Sequence, residues 1–125
     1  MVGKDGERSQ EVSAFLSFVL EEAERGSPNY QFCLGLMFMR GDEVRKDPVQ
    51  AARWLEAAAV QGHPDAQFAL GWLHLQGEGM PVDLAKGGEW IRRAADGGHP
   101  LAGEIVAESE GRPDGPAAPG KGGTQ

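Results

Sequence analysis

Three histidines and one cysteine are the side chains best suited to chemistry in this sequence of 125 residues. His63 and His99 each precede a proline, so they are either helix-flanking polar residues or ligands of a shared metal ion. His74 is the only histidine inside an apolar stretch, where it either acts in catalysis or places a polar tip against a backbone group. Cys33 has no second cysteine to pair with, which leaves a small packing residue or a reactive thiol.

No sequence motif of an enzyme accompanies these residues. The chain has no Gly-x-Ser-x-Gly element, Walker loop, dinucleotide-binding fingerprint or His-Glu-x-x-His pair. The segment GEGMP from Gly77 is a turn between helices and not a phosphate loop, because GDEVR takes its place in the other copy of the repeat described below. Carboxylate pairs such as Asp42-Glu43 are typical of solvated surfaces. We therefore predict no catalytic residue, no metal ion and no cofactor.

The composition narrows the classes of partner. The formal net charge is −7, and the basic residues form nothing longer than pairs such as Arg92-Arg93, which argues against binding to nucleic acid. No segment approaches the roughly 20 apolar residues that span a bilayer, and the N-terminus lacks a secretory apolar run. We therefore predict no membrane contact and a cytoplasmic location. The Gly-, Ala-, Pro- and Arg-rich style is typical of a bacterial protein.

Two consecutive segments, 28–63 and 64–99, are copies of one pattern and are identical at 12 of 36 aligned positions. The shared residues are mostly small, apolar or turn-forming, which is expected of a repeated packing unit and not of a repeated active site. They are Pro28/Pro64, Gln31/Gln67, Phe32/Phe68, Leu34/Leu70, Gly35/Gly71, Gly41/Gly77, Asp47/Asp83, Trp54/Trp90, Ala58/Ala94, Ala59/Ala95, Gly62/Gly98 and His63/His99.

Each copy predicts a helical hairpin. The proline that opens each copy suits the first position of a helix, and Asp47 and Asp83 suit the N-cap of a second helix. Gly62 and Gly98 suit the end of that second helix, because glycine accepts a positive φ.

Partial copies flank the two complete ones. Phe18 falls in the column of the repeated tryptophan, and Pro100 continues the column of the opening prolines. We therefore predict an all-α fold of about six helices, with two full repeats and a half repeat at each end, over residues 10–109. Residues 1–9 are expected to be a flexible N-terminus, and the Gly/Pro-rich residues 110–125 are expected to be a disordered tail.

The repeated residues resemble the Sel-1-like repeat, a relative of the tetratricopeptide repeat, over residues 11–108. The family pattern is approximately A-x3-L-G-x2-Y-x2-G-x-G-V-x2-D-x3-A-x2-W-x3-A-A-x2-G. Glu43 departs from it by replacing a loop glycine, which predicts a stiffer or differently shaped loop in the first copy. Other departures are Tyr30, Phe38, His74 and Gly87. The second copy matches through Ala66, Leu70, Gly71, Gly77, Gly79, Met80, Asp83, Trp90, Ala94, Ala95 and Gly98.

The resemblance implies a right-handed α-α superhelix (solenoid) that acts as a scaffold for protein–protein contacts. We accordingly predict an adaptor that binds a peptide or a partner helix on its concave face, as a monomer or weak homodimer. Two alternatives remain: a small-molecule binder or hydrolase of the β-lactam type, and a self-associating structural module. Members of the family that are linked to β-lactams are secreted and carry a disulfide in every repeat, which this chain lacks.

The first helix of each copy is more apolar than packing against one neighbour requires. If Leu34, Gly35 and Phe38 pack against the second helix, another apolar face remains for a partner or, alternatively, for the N-terminal helix, the tail or a second copy. In the partial copy that follows residue 99, two glutamates, Glu104 and Glu108, occupy the columns of this face, which suits an apolar segment with a neighbouring Lys or Arg. The predicted partner-binding residues are Phe32, Leu36, Met39, Arg40, Phe68, Trp72, Leu75, Gln76, Glu104 and Glu108.

Overall fold

The computed structural model describes residues 3–110, and the side-chain surroundings of residues 14–110. Within that range six α-helices follow one another without a strand, and consecutive helices pack against each other. This confirms the all-α superhelix of six helices that the repeats predict. The helices are α1 (Gly3–Glu24), α2 (Pro28–Arg40), α3 (Pro48–Ala59), α4 (Pro64–Gln76), α5 (Leu84–Asp96) and α6 (Pro100–Ser109).

The first helix is longer than the sequence pattern predicts. It begins at Gly3 and therefore runs through most of the segment 1–9 that was expected to be flexible. No proline interrupts this segment, so a helix that is held by packing near its C-terminal end can continue upstream at little cost per residue. The predicted tail lies outside the described residues, apart from Glu110. None of the described helices combines the length and the apolar character that crossing a bilayer requires.

The helix ends follow local capping chemistry. The carboxylates of Asp47 and Asp83 accept hydrogen bonds from the backbone N–H three residues downstream, at 3.2 and 3.0 Å. Gly41 and Gly77 end α2 and α4 with φ of +79° and +74°. Gly62, which follows α3, and Gly98, which follows α5, also have positive φ. These contacts confirm the helix starts and stops that the sequence predicts.

The loops inside the two hairpins share a left-handed residue at the same position. Gly79 has φ of +76° and Glu43, its counterpart in the first copy, has φ of +64°. The substitution was expected to stiffen the first loop or change its shape. At this residue the backbone conformation is instead retained, with a glutamate in a region that favours glycine.

Close helix packing inside each hairpin depends on glycine. A Cβ atom on Gly35 would lie 2.7 Å from the side chain of Leu55, and one on Gly71 would lie 2.8 Å from the backbone oxygen of Gly87. A real Cβ cannot approach other atoms so closely, so these glycines set the distance between the first and second helices of each copy.

The core is a series of three clusters along the helix stack. Each cluster is built where a first helix meets its neighbours, which is expected of a repeat protein because each unit buries its apolar face only against adjacent units. Their buried residues are Val19, Ala23, Leu34 and Met37 in the first, Ala52, Leu55, Ala58, Ala59, Ala66, Leu70 and Leu73 in the second, and Ile91, Ala94 and Ala102 in the third.

Buried glutamines connect successive repeats. The side-chain amide of Gln31 donates to the backbone oxygen of Ala23, and that of Gln67 donates to the backbone oxygen of Ala59, both at 3.1 Å. The two carbonyls also accept the backbone N–H groups of Gly26 and Gly62, so each glutamine adds a second hydrogen bond at the end of the preceding helix. Gly103 occupies this column in α6, which therefore lacks the connection.

Candidate functional site

A groove lined only by apolar side chains crosses the face formed by the first helices α2, α4 and α6. Its cavity volume is about 380 Å³. Two of its residues are conspicuously exposed, since Trp72 and Leu101 leave 43% and 50% of their surface accessible. Contiguous exposed apolar surface of this kind is typical of a binding site. This first-helix groove consists of Met39, Phe68, Ala69, Trp72, Leu101 and Ile105.

Two stacked aromatic rings form the centre of the first-helix groove. Phe68 and Trp72 are one helical turn apart on α4, and their ring centroids are 6.4 Å apart at an interplanar angle of 20°. Phe68 also stacks on the imidazole of His99, with the two ring centroids 4.4 Å apart, and packs against the third core cluster. Phe68 is thus anchored in the fold, whereas Trp72 projects a larger surface to solvent.

The histidines that end each repeat are the N-caps of the helices that follow. The Nδ1 atom of His99 accepts the backbone N–H of Ala102 at 3.2 Å, and its Nε2 atom lies 3.4 Å from Asp65 Oδ1. His63 repeats this arrangement at the start of α4, with its Nε2 atom 3.0 Å from Asn29 Oδ1. A ring nitrogen that accepts an N–H carries no proton, so the neutral ring holds its proton on Nε2. Of the two roles considered, the structure supports the helix-flanking one.

Replacing His99 by alanine is expected to lower the free energy of unfolding by about 1–2 kcal/mol, because the N-cap acceptor of α6 is lost. The stacking surface beneath Phe68 disappears with it. His99→Asn restores a cap acceptor without the ring and is expected to recover most of the loss. Urea denaturation followed by circular dichroism measures both variants. An asparagine variant no more stable than the alanine variant would show that capping is not the main contribution.

Three of the predicted partner-binding residues, Met39, Phe68 and Trp72, line the first-helix groove. Phe32 and Leu36 are partly buried and lie outside it. Phe32 stacks on His63 at 4.9 Å and packs against the second core cluster, so part of its ring belongs to the core.

Leu75 lies away from the groove, although it shares a column with Met39. It lines a different cleft of about 520 Å³, together with Leu84 of α5 and Val106 of α6. The reason is Gly87: a Cβ atom there would lie 2.5 Å from Leu75 Cδ2, so the leucine occupies space that an alanine side chain would take. The sequence periodicity places Leu75 on the same face as Met39, whereas the structure places it in the cleft between α5 and α6.

Three groove residues were not predicted: Ala69, Leu101 and Ile105. A signal for Leu101 exists in the sequence, because it is apolar where the two preceding first helices have Asn29 and Asp65. Ile105 likewise enlarges a column that holds a small residue in α4. These substitutions extend the apolar surface onto α6.

The polar residues predicted for the rim are all exposed: Arg40, Gln76, Glu104 and Glu108. Among residues 14–110 none of the three charged ones forms a salt bridge. By contrast, Arg92 and Arg93 on α5 pair with Glu110 and Glu89. The carboxylates on α6 therefore have no cation from the described part of the chain.

The remaining residues considered for chemistry, His74 and Cys33, do not form a common site. His74 lines an open cleft of about 360 Å³ with residues of both charges, and its buried Nδ1 atom lacks the backbone partner that was considered for it. Cys33 is partly buried against the first core cluster. Among the described residues no group of three or more His, Cys, Asp or Glu side chains is placed to hold a metal ion.

The fold and the groove define a helical repeat module with an exposed apolar face. The family model of the Sel1 repeat matches residues 28–63 and 64–99, more than half of the chain, and the chain belongs to this family. This confirms the resemblance that the repeated residues indicate. Sel1 repeat proteins generally mediate protein–protein interaction and are typically non-enzymatic. No curated protein gives a match.

Solved structures of bacterial proteins share the fold. A Sel1 repeat protein from Oxalobacter formigenes is 34% identical with a TM-score of 0.70, and the match covers 74% of this chain and 27% of that one. A protective antigen of uropathogenic Escherichia coli with an SLR fold is 33% identical with a TM-score of 0.73, covering 75% and 20%. Cysteine-rich protein B of Helicobacter pylori, 22% identical with a TM-score of 0.72 and covering 74% and 70%, shares the fold alone. The chain thus spans about a quarter or less of the first two relatives.

Proposed function

We propose that this protein is an adaptor or scaffold that binds a peptide or helix of another protein in the first-helix groove. The observation that carries the proposal is an apolar groove of about 380 Å³ in which Trp72 and Leu101 remain about half exposed. Membership of a family that generally mediates protein–protein interaction supports the same conclusion.

Trp72 is the residue that we expect to dominate binding. Tryptophan is enriched among the few interface residues that carry most of the binding energy, and its ring here stacks on Phe68 and so presents a rigid surface. Met39 on α2 and Leu101 on α6 form the sides on which an apolar side chain would rest. Phe32 and Leu36 extend the face along α2, and Arg40 and Gln76 lie at its polar edge.

Replacing Trp72 by serine is expected to reduce partner binding by about ten-fold or more, which corresponds to the loss of a typical hot-spot residue. The fold should persist, because much of the ring is already exposed. Phe68 is a poorer choice for this test, since it also packs against the core and His99. The measurement is quantitative mass spectrometry of proteins captured from the source organism on immobilised wild-type and variant protein.

The matched control is Val60→Ser, which removes an apolar side chain that is 65% exposed at the end of α3, outside the groove. A genuine partner is retained by this control and lost with Trp72→Ser, while circular dichroism shows equal helicity for both. Equal capture by the wild-type and Trp72→Ser proteins would refute the groove as the binding site. A concentration series in light scattering tests the remaining alternative, self-association through the same face.

A further inference from the structure

The wall that α6 contributes to the first-helix groove alternates apolar and acidic residues. Leu101 and Ile105 line the groove, Glu104 lies between them in sequence, and Glu108 follows one turn after Glu104. Both glutamates are exposed, and residues 14–110 supply neither with a salt-bridge partner. Two carboxylates that residues 14–110 leave unpaired therefore stand on the helix that forms one end of the apolar groove.

The position of these carboxylates is specific to α6. Glu104 stands in the column of Phe32 and Phe68, and Glu108 stands in the column of Leu36 and Trp72. The apolar columns of the first two units thus become acidic in the third, while Leu101 and Ile105 place bulky apolar residues in two neighbouring columns. The change places negative charge beside the groove without removing its apolar lining.

The cations of the adjacent helix α5 form no salt bridge with these two carboxylates, and Lys86 lines the separate cleft that contains His74. Arg92 and Arg93 on the adjacent helix α5 already pair with Glu110 and Glu89. Arg40 lies on α2, at the opposite side of the groove. The α6 side of the groove thus carries two carboxylates that the neighbouring arginines of α5 do not neutralise.

We infer that the occupant of the groove is an apolar protein segment with a Lys or Arg flanking its α6 end; this rests on the proposed function. The apolar side chains would contact Trp72 and Leu101, and the cation would lie between the carboxylates of Glu104 and Glu108. An Arg guanidinium suits such a pair, because its several N–H donors can serve both carboxylates.

The charges of Glu104 and Glu108 beside the apolar groove are expected chiefly to select among partners. Exposed charges contribute modestly to affinity, but they accelerate association with an oppositely charged partner and penalise a like-charged one. The net charge of −7 acts in the same direction at long range. Segments with acidic flanks are therefore rejected even when their apolar residues fit the groove.

A displayed library of random dodecapeptides, selected against the full chain, tests the inference. We expect enriched peptides to combine bulky apolar residues with Lys or Arg on one flank. Selection against the double variant Glu104→Lys/Glu108→Lys should instead enrich Asp or Glu on that flank. Wild-type-selected peptides should bind this variant about ten-fold more weakly at low salt, and high salt should reduce the difference.

The matched control reverses two exposed glutamates outside the groove, Glu24→Lys/Glu78→Lys, which changes the net charge equally. This control should keep the basic preference of the wild type. Two outcomes would overturn the inference and leave the proposed function standing. In the first, the enriched peptides need Trp72 but show no preference for Lys or Arg. In the second, both double variants alter the preference for Lys or Arg equally. The absence of any enriched peptide whose binding is lost with Trp72→Ser would overturn both.

Discussion

Replacing Gly71 by alanine is expected to lower the free energy of unfolding by about 2–3 kcal/mol, the upper part of the range for overpacked cores. The new Cβ atom would lie 2.7 Å from Ile91 Cγ1 and 2.8 Å from the backbone oxygen of Gly87. Because backbone cannot rotate away as a side chain can, α4 and α5 must separate to accept the methyl group. The separation opens the third core cluster, to which Ile91 belongs.

The sign of this effect is informative because helix propensity predicts the reverse. Alanine is more favourable than glycine in a helix interior by about 1 kcal/mol. Gly88→Ala, on α5 with no heavy atom within 4 Å of the new Cβ, should show that gain. Gly35→Ala should be milder than Gly71→Ala, since its closest contact is the side chain of Leu55. Urea denaturation of the three variants gives the order, and a stabilised Gly71→Ala would refute the close approach of α4 and α5.

Replacing Gly79 by alanine is expected to cost about 3 kcal/mol, the sum of left-handed backbone strain and steric overlap. The residue has φ of +76°, and its Cβ atom would overlap the backbone oxygen of Pro48 in the preceding repeat. The loop of the second hairpin must then withdraw from the first turn of α3. Met80, which packs against the second core cluster, would withdraw with it.

The same loop position should respond oppositely in the first copy. Glu43 occupies it with φ of +64°, so Glu43→Gly removes left-handed strain and is expected to raise the free energy of unfolding by about 1 kcal/mol. Thermal and urea denaturation of Gly79→Ala and Glu43→Gly measure the pair. Destabilisation by Glu43→Gly would mean that the glutamate side chain makes a contact outweighing the strain of its backbone.

The helix boundaries of this protein were predictable because the signals are local. Asp47 and Asp83 cap helices through atoms three residues away, and Gly41 and Gly77 end helices through their own backbone freedom. Such interactions join residues within one helical turn, so they can be predicted from residues that are neighbours in the sequence. The extension of α1 to Gly3 was missed because its segment carries no comparable signal.

The groove was predictable only in part. The apolar excess of the first helices predicts that Phe68 and Trp72 share one surface, because helical spacing places them one turn apart. The same spacing could not show that Gly87 makes room for Leu75, since that contact joins two helices. It also could not show that Leu101 and Ile105 complete the wall.

By itself the sequence determined the repeat of 36 residues, the six helices and the family, because these depend on side chains that act within a turn or recur at a fixed interval. Only the tertiary structure decided which apolar side chains of the first helices are buried and which remain exposed. That division depends on atoms brought together from distant positions in the sequence, such as His99 beneath Phe68 and Leu101 beside Trp72. Exposure is a property of the packed neighbours and not of a residue's own type.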